Sequence, residues 1–328
     1  MLKIILSLTL LTSSLLISQT LSRTLTQRGG EHNALFLNPA YLISKSTTGK
    51  IEAEFINTSL ILDNKSLNFI QELKGAEGNR EISKLLKENI GNTLTLSANN
   101  FSSIYQTKEN ISYSLGIANT LDGYFITHSG FGSKGAMESV IEQYKAVVGT
   151  VVVKEKNFHY GLNLKLIEKA QTIRNYAINE IATQSSLWDY MDNSHTKKES
   201  AVGIDMGVTY TLPHNALKSK LSLALLNIGN TSFKKLGKLE QTTTVGLSLE
   251  PNNTFIKIDY LDNHLRADMN KEFFNQKLKL HTGVIYDALS LGLSYKISIF
   301  KVAIFSYKVK EYNQKEERKN ELSLGVTW

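Results

Sequence analysis

The stretch that decides the fold is the end of the chain, residues 322–328, which read Leu-Ser-Leu-Gly-Val-Thr-Trp. Successive side chains of a β-strand point to opposite faces, so the apolar side chains from Leu322 to Trp328 share one face. An apolar face with an aromatic residue at its rim is typical of a lipid-facing strand in a transmembrane β-barrel. The stretch therefore predicts a barrel strand, although a soluble β-protein can end in the same way.

The same alternation recurs through most of the chain. In residues 158–168, the apolar side chains from Phe158 to Leu166 alternate with His159, Gly161 and Asn163. The predicted strands are 49–61, 92–104, 109–119, 122–131, 143–154, 158–168, 200–211, 219–228, 240–249, 252–262, 275–285, 287–297, 300–310 and 319–328. Each approaches the roughly 9–11 residues that a tilted strand needs to cross a bilayer.

These segments predict an all-β fold, a transmembrane antiparallel β-barrel of about 14 strands. A soluble β-sandwich has the same two-residue period and is the alternative. The low proline count, 3 in the whole chain, favours long uninterrupted barrel strands.

Three segments interrupt the pattern. Residues 64–90 have the apolar spacing of one or two short helices, residues 176–191 have that of a third, and residues 263–274 are ambiguous. The strand count places 64–90 and 169–199 at opposite ends of the barrel. Long excursions usually share the extracellular end, so the side of 169–199 stays open.

The start of the chain predicts export. Met1-Leu2-Lys3 precedes a short apolar stretch and a polar exit, which is the pattern of a secretory signal peptide. The predicted division is a signal peptide at 1–22, an N-terminal segment at 23–46 and a barrel at 47–328.

The composition excludes several classes of function. With 0 cysteines the chain has neither disulfides nor thiolate metal sites. The formal net charge of +7 is scattered along the chain, which argues against nucleic acid and favours contact with the anionic lipids of an outer membrane. Neither an HExxH zinc motif nor a GxSxG nucleophile is present, so no enzyme activity, cofactor or metal is predicted.

Charged residues of the strands fall on the face opposite to the apolar one. On the lipid face such charges would cost roughly 2–4 kcal/mol each near the bilayer centre, so they are expected in the lumen. The candidate lumen residues are Lys165, Asp205, Lys257, Asp259, Lys277, Lys279 and His281. Two interpretations stay open: a structural network, or a site in which lysines bind the carboxylate of an amphipathic acid.

Five blocks of sequence together carry a resemblance to a known group. They are Leu37-Asn38-Pro39-Ala40, Tyr160 to Lys165, Gly203 to Tyr210, Ala224 to Gly229 and the terminal strand. In these blocks and their order the chain resembles the FadL-like outer-membrane barrel superfamily, which includes long-chain fatty acid transporters and the PorV-type and TraF-like proteins.

The resemblance implies a fourteen-stranded barrel in the outer membrane whose N-terminal segment folds inside as a hatch. Asn38, Pro39 and Ala40 would lie in that hatch. The implied function is passive, hatch-gated uptake or export of small hydrophobic or amphipathic, fatty-acid-like compounds. The alternative is a barrel of the same fold that serves as a secretion or assembly partner. The terminal strand with Trp328 would be the part recognised by the barrel-assembly machinery.

Overall fold

A computed structural model describes residues 36–42, 49, 51–76, 78–128, 136–177, 196–213, 216–261, 264–275, 277–285, 288–310 and 316–327. The strands are β1 Ile51–Asp63, β2 Thr93–Lys108, β3 Ile111–Thr127, β4 Met137–Glu155, β5 Phe158–Tyr176, β6 Thr196–Thr211, β7 Lys220–Leu226, β8 Thr231–Phe233, β9 Gly237–Leu239, β10 Thr242–Leu249, β11 Thr254–Leu261, β12 His264–Phe273, β13 Leu278–Ile285, β14 Ala288–Ile297, β15 Phe300–Lys310 and β16 Glu316–Thr327. The helices are α1 Asn64–Gly75, α2 Gly78–Glu88 and a short 3-10 helix at Pro39–Leu42.

Fourteen of these strands form one closed antiparallel barrel, in which β16 pairs with β1. Strands β8 and β9 pair only with each other, as a two-stranded sheet in the connection between β7 and β10. The predicted all-β barrel is therefore confirmed. No helix among the described residues is long and apolar enough to cross a membrane.

The predicted alternation of faces is visible in the burial of β5. Its apolar side chains from Tyr160 to Leu166 are exposed on the outside, whereas Asn163 and Lys165 are buried inside. Exposed large apolar side chains occupy the same outward register in the neighbouring strands. The outside is therefore an apolar belt, and the polar strand positions face the lumen.

The predicted strand count is right because two errors in the predicted boundaries cancel. Segments 109–119 and 122–131 are one continuous strand, β3, which runs straight through Asn119 and Gly123. The ambiguous segment 263–274 contains β12, whose Arg266 faces inward and is buried. Asn119 and Gly123 lie in the outward register of β3, where the strand continues beyond Ile117, whereas Arg266 is accommodated because it faces the polar lumen.

The two long excursions lie at the same end of the barrel. The connection from β5 to β6 leaves the barrel at the same end as α1 and α2, not at the opposite end. The helices predicted in 64–90 are confirmed as α1 and α2. Of the segment 176–191, which was predicted to be helical, Tyr176 is the last residue of β5. The part from residue 178 onward lies outside the described residues.

The barrel wall has very different heights on its two sides. Strands β4 and β5 have 19 residues each, whereas β7 has 7 and β10 has 8. Because a tilted strand needs roughly 9–11 residues to cross a bilayer, the tall strands extend beyond the apolar belt. At the top of this extension, Phe69 and Leu85 of the helices pack with Leu94, Met137 and Tyr176 of the strands.

Asp63 ties together the seam where the barrel closes. Its carboxylate caps α1 by accepting from the Ser66 amide at 2.6 Å, and it accepts from the Thr95 hydroxyl at 2.7 Å. The Lys319 ammonium of β16 lies 3.5 Å away and also donates to the Thr95 hydroxyl. One buried carboxylate thus links β1, β2, β16 and the first helix.

We expect Asp63→Ala to destabilise the folded barrel by about 1–3 kcal/mol, the range for losing a helix cap and leaving buried donors unpaired. Asp63→Asn keeps an oxygen acceptor for the cap, so its loss should be smaller. The urea midpoint of the purified barrel, followed by heat-modifiable gel mobility, measures both changes. Equal midpoints for Asp63→Ala and the unchanged protein would contradict this role of the carboxylate.

Candidate functional site

Residues 36–42, here called the lumen segment, lie inside the barrel and are all buried. The segment turns at Asn38, whose side-chain oxygen accepts from the Ala40 amide at 2.9 Å. The Asn38 carbonyl accepts from the Tyr41 amide at 3.0 Å, which begins the short 3-10 helix. Pro39 suits this first helical position because its missing amide hydrogen would have no partner there. The sequence Asn-Pro-Ala therefore builds a compact turn.

A pair of glycines receives this turn on the wall. Gly161 of β5 and Gly207 of β6 lie directly opposite each other in the ladder. A Cβ at Gly161 would lie 2.5 Å from the Pro39 carbonyl carbon, and one at Gly207 would lie 2.8 Å from the Asn38 side-chain carbon. Only two residues without side chains allow the segment to lie this close to the strand backbones.

Asn38 also binds the wall directly. Its side-chain amide donates to the backbone carbonyl of Leu223 at 3.2 Å and to that of Val208 at 3.4 Å. At the two ends of the lumen segment, Phe36 contacts the Phe101 ring at 5.0 Å and Tyr41 lies 4.9 Å from the Lys257 ammonium. The segment thus reaches inside the lumen from β2 across to β11.

One side of the lumen, the inner faces of β2–β5, carries a hydrophobic cluster among buried polar side chains such as Asn163, Lys165 and Lys169. A buried hydrophobic cluster lines the inside of the tall strands, and its main wall members are Phe101, Tyr105, Tyr144, Val148, Val152 and Ile167. Phe36 and Leu42 of the lumen segment belong to the same cluster. The twelve buried charged side chains among the described residues are spread around the wall, six on β11, β12 and β16 and the others on β1, β3, β5 and β6. An apolar molecule would follow the hydrophobic cluster itself.

A second element enters this apolar side from the end that carries α1 and α2. Residues 227–241, here called the inward hairpin, contain β8 and β9 and connect β7 to β10. Its Phe233, Leu236 and Leu239 join the apolar cluster, with the Phe233 ring 6.2 Å from that of Tyr144. The apolar side of the lumen is thus filled by the lumen segment and the inward hairpin together.

The predicted lumen residues Lys165 and Asp205 form a buried ion pair at 2.5 Å. The Asp205 carboxylate also accepts from the side-chain amide of Asn163 at 3.0 Å and from the backbone amide of Asn227 at 2.8 Å. The Lys165 ammonium donates to the Asn227 side chain at 2.6 Å. The pair therefore fastens the base of the inward hairpin to the wall.

Lys257 and Asp259, also predicted for the lumen, form a second buried pair at 2.9 Å. Arg266 of β12 completes this cluster by donating to the Asp259 carboxylate at 2.8 Å. Because the Lys257 ammonium also faces the Tyr41 ring, this cluster contacts the lumen segment on the side away from Gly161.

The remaining predicted residues do not join either cluster. Lys279 pairs with Glu272 at 3.2 Å, and His281 shares a hydrogen bond with Ser294 at 3.2 Å. Lys277 was predicted to face the lumen, but it is exposed in the turn that precedes β13. The candidate residues are thus distributed around the wall in separate pairs rather than gathered at one carboxylate-binding site.

Sequence reasoning missed the features that shape the lumen. The alternating pattern places Gly161 and Gly207 on the inward face. Two glycines at lumen positions of adjacent strands could have indicated a place where another segment packs closely against the wall. The inward hairpin was predicted only as a connection. Its signal was Asn227, Gly229 and Gly237, which adopt the positive φ angles that tight turns require.

Among the described residues, no group of three or more His, Cys, Asp or Glu side chains is arranged to hold a metal ion. The functional features of the lumen are therefore an apolar wall, two segments that fill it and two buried ion-pair clusters. Trp328 and the predicted signal peptide at 1–22 lie outside the described residues.

Comparisons with known proteins find similarity in structure. No protein-family profile matches the chain, and no curated protein sequence matches it. The toluene transporter TbuX of Ralstonia pickettii is similar with a TM-score of 0.59 and 10% identity, over 93% of this chain and 96% of TbuX. The deltaS2S3 mutant of the TodX monoaromatic hydrocarbon channel gives a TM-score of 0.56 and 11% identity, over 90% and 94%.

The CymD monoaromatic hydrocarbon channel gives a TM-score of 0.53 and 10% identity, over 91% of this chain and 93% of CymD. All three comparisons span nearly the whole barrel, so the likeness concerns the architecture and not one hairpin or loop. The barrel fold that was expected from the resemblance to the FadL-like superfamily is thereby confirmed.

Proposed function

We propose that this chain is an outer-membrane channel through which small hydrophobic compounds diffuse passively. The observation that carries the proposal is the hydrophobic cluster on the inner side of β2–β5, which includes Phe36 and Leu42 of the lumen segment. A hydrophilic porin would need a polar, water-filled passage instead. The architecture shared with three hydrocarbon channels supports this choice. Fatty-acid-like ligands stay a prediction from the sequence.

The lumen segment would act as the hatch in this mechanism. It reaches across the lumen from β2 to β11, and polar contacts hold it at Asn38 while aromatic contacts hold it at Phe36 and Tyr41. A compound that moves along the apolar wall would pass when these contacts loosen. Contacts of this kind are individually weak, which allows a small ligand to shift the balance between docked and displaced segment.

The test is uptake by a porin-deficient Gram-negative host, in which lipopolysaccharide retards apolar solutes. Expression of the chain should raise the uptake of radiolabelled toluene but not that of ribose. Val148→Thr places a hydroxyl on the apolar lumen wall and should lower toluene uptake severalfold, because the hydroxyl keeps water in the path. Val147→Thr changes the outward neighbour on β4 and is the matched control.

Two results would contradict the proposal. Equal stimulation of ribose and toluene uptake would indicate an open aqueous pore. Unchanged toluene uptake, with the folded barrel present in the outer-membrane fraction, would contradict the transport function itself.

A role as a secretion or assembly partner is the second candidate, because α1 leaves Leu67 and Ile70 exposed at the rim of the barrel. These two side chains are three residues apart and share one helix face, as a docking surface would require. If the partner role is correct, Leu67→Ser/Ile70→Ser should abolish co-purification of an envelope protein while toluene uptake stays absent in both forms.

A further inference from the structure

The inward hairpin has one apolar and one charged side. Phe233, Leu236 and Leu239 are buried in the lumen, whereas the intervening Lys234, Lys235 and Lys238 are exposed. A wall strand of this barrel exposes its apolar side chains on the outside, and the hairpin does the reverse. It is therefore built as a cover over the lumen, with a cationic outer surface.

The cover is held by its buried apolar side chains and by polar contacts, including the Ile228 amide, which donates to the Ile204 carbonyl of β6 at 2.9 Å. β8 and β9 pair only with each other, and an isolated two-stranded hairpin is marginally stable in water. At its tip, the Glu199 carboxylate accepts from the backbone amides of Lys235 at 2.8 Å and Leu236 at 3.2 Å. At its base, Asn227 is bound by Lys165 and Asp205. The position of the hairpin thus depends on the lumen beneath it.

The space that Phe233 fills has the size and chemistry of a single aromatic ring. Tyr144 meets the Phe233 ring edge-to-face, at an interplanar angle of 67°. Phe36 and Phe101, in the same cluster, form a second edge-to-face pair at 75°. Edge-to-face packing of this kind stabilises Phe233 in the cluster, so an entering compound must replace these contacts.

We propose that an apolar compound binds on entry to the apolar surface under the inward hairpin, and that Phe233 occupies this surface until the compound displaces the hairpin. The inward hairpin is then a lid at one end of the path, and the lumen segment is the hatch further in. This inference rests on the proposed transport function and assigns to it an entry site.

The absence of cysteine makes the lid testable by a disulfide. A Cβ at Gly203 would lie 2.7 Å from the Thr231 hydroxyl, so Gly203→Cys/Thr231→Cys can fasten the hairpin to β6. The matched control is Ser232→Cys/Lys238→Cys, which links β8 to β9 and leaves the hairpin free to move. Toluene uptake is measured in the oxidised state and again after reduction with the membrane-impermeant reductant TCEP.

We expect oxidation of the Gly203–Thr231 pair to lower toluene uptake about tenfold, with recovery on reduction, since a closed lid blocks entry. The control pair should change uptake less than about twofold, because its disulfide lies within the hairpin and leaves the lid free to open. Equal uptake in both states of the Gly203–Thr231 pair would overturn the lid while leaving transport intact. Absence of uptake in both states, and in the protein without cysteines, would overturn transport and the inference together.

A second measurement tests displacement by the ligand without transport. Leu239→Cys places a thiol on the buried side of the hairpin, where a water-soluble maleimide should react slowly. Toluene added to the purified barrel should accelerate labelling severalfold, because the displaced hairpin exposes the thiol. Labelling that is unaffected by toluene would overturn the binding site. Glu199→Gln, which weakens the contact at the hairpin tip, should accelerate labelling without toluene.

Discussion

Gly161→Ala is expected to drive the lumen segment off its docking place. The added Cβ would meet the Pro39 carbonyl carbon at 2.5 Å and the Ala40 Cα at 2.8 Å. Both are backbone atoms, so no side-chain rotation can relieve the overlap, and overpacking of this kind costs about 1–3 kcal/mol. Since each 1.4 kcal/mol is a factor of ten in an equilibrium, the equilibrium constant for docking should fall about tenfold, which raises the undocked population about tenfold.

A single cysteine reports this displacement. Leu42 is 1% exposed, so the thiol of Leu42→Cys should be protected from a water-soluble maleimide while the segment is docked. Adding Gly161→Ala should accelerate labelling about tenfold, in proportion to the undocked population. Asn38→Ala, which removes the contacts to Val208 and Leu223, should act in the same direction from the side of the segment.

Gly149→Ala provides the control for the glycine substitution. Gly149 also lies in a long strand, but a Cβ there would have no heavy atom within 4 Å. Labelling of Leu42→Cys should therefore be the same with and without Gly149→Ala. If Gly161→Ala labels no faster than this control, the segment does not depend on the glycine pair, and its role as a hatch loses its structural basis.

The outward face of the barrel could be predicted from the sequence, whereas the contents of the lumen could not. Lipid admits only apolar side chains on the outward face, which forces a two-residue period that survives in any single strand, as in Phe158 to Leu166. The inward face has no such restriction. Past the apolar belt the outward face loses the restriction too: Asn119 and Gly123 read as a turn, yet they continue β3 in the outward register beyond Ile117.

The inward hairpin illustrates the same limit over a longer distance. Whether residues 227–241 project into water or fold into the barrel is decided by Glu199, Asp205 and Tyr144, which belong to other strands. Nothing in the local sequence of the hairpin identifies these partners. The pairing of Lys165 with Asp205 could be predicted in part from the sequence, since both residues fall on the inward face. Their common partner Asn227 could not be predicted.

Asp205→Ala is expected to have the largest effect on stability. It leaves the Lys165 ammonium, 3% exposed, without its counter-charge and removes the acceptor of Asn163 and of the Asn227 amide. Removing one partner of a buried ion pair typically costs about 3–5 kcal/mol, because the remaining charge is neither hydrated nor compensated. The urea midpoint of the purified barrel, followed by heat-modifiable gel mobility, measures the loss.

Glu168→Ala is the matched control, because Glu168 pairs with Lys145 at 3.8 Å between β4 and β5 but both side chains are more than one third exposed. An exposed pair contributes about 0–1 kcal/mol, so this midpoint should hardly change. The double variant Asp205→Leu/Lys165→Met removes both buried charges and should recover most of the stability. Equal losses for Asp205→Ala and Glu168→Ala would mean that water reaches Lys165, and the path beside it could not then serve as a dry route for apolar compounds.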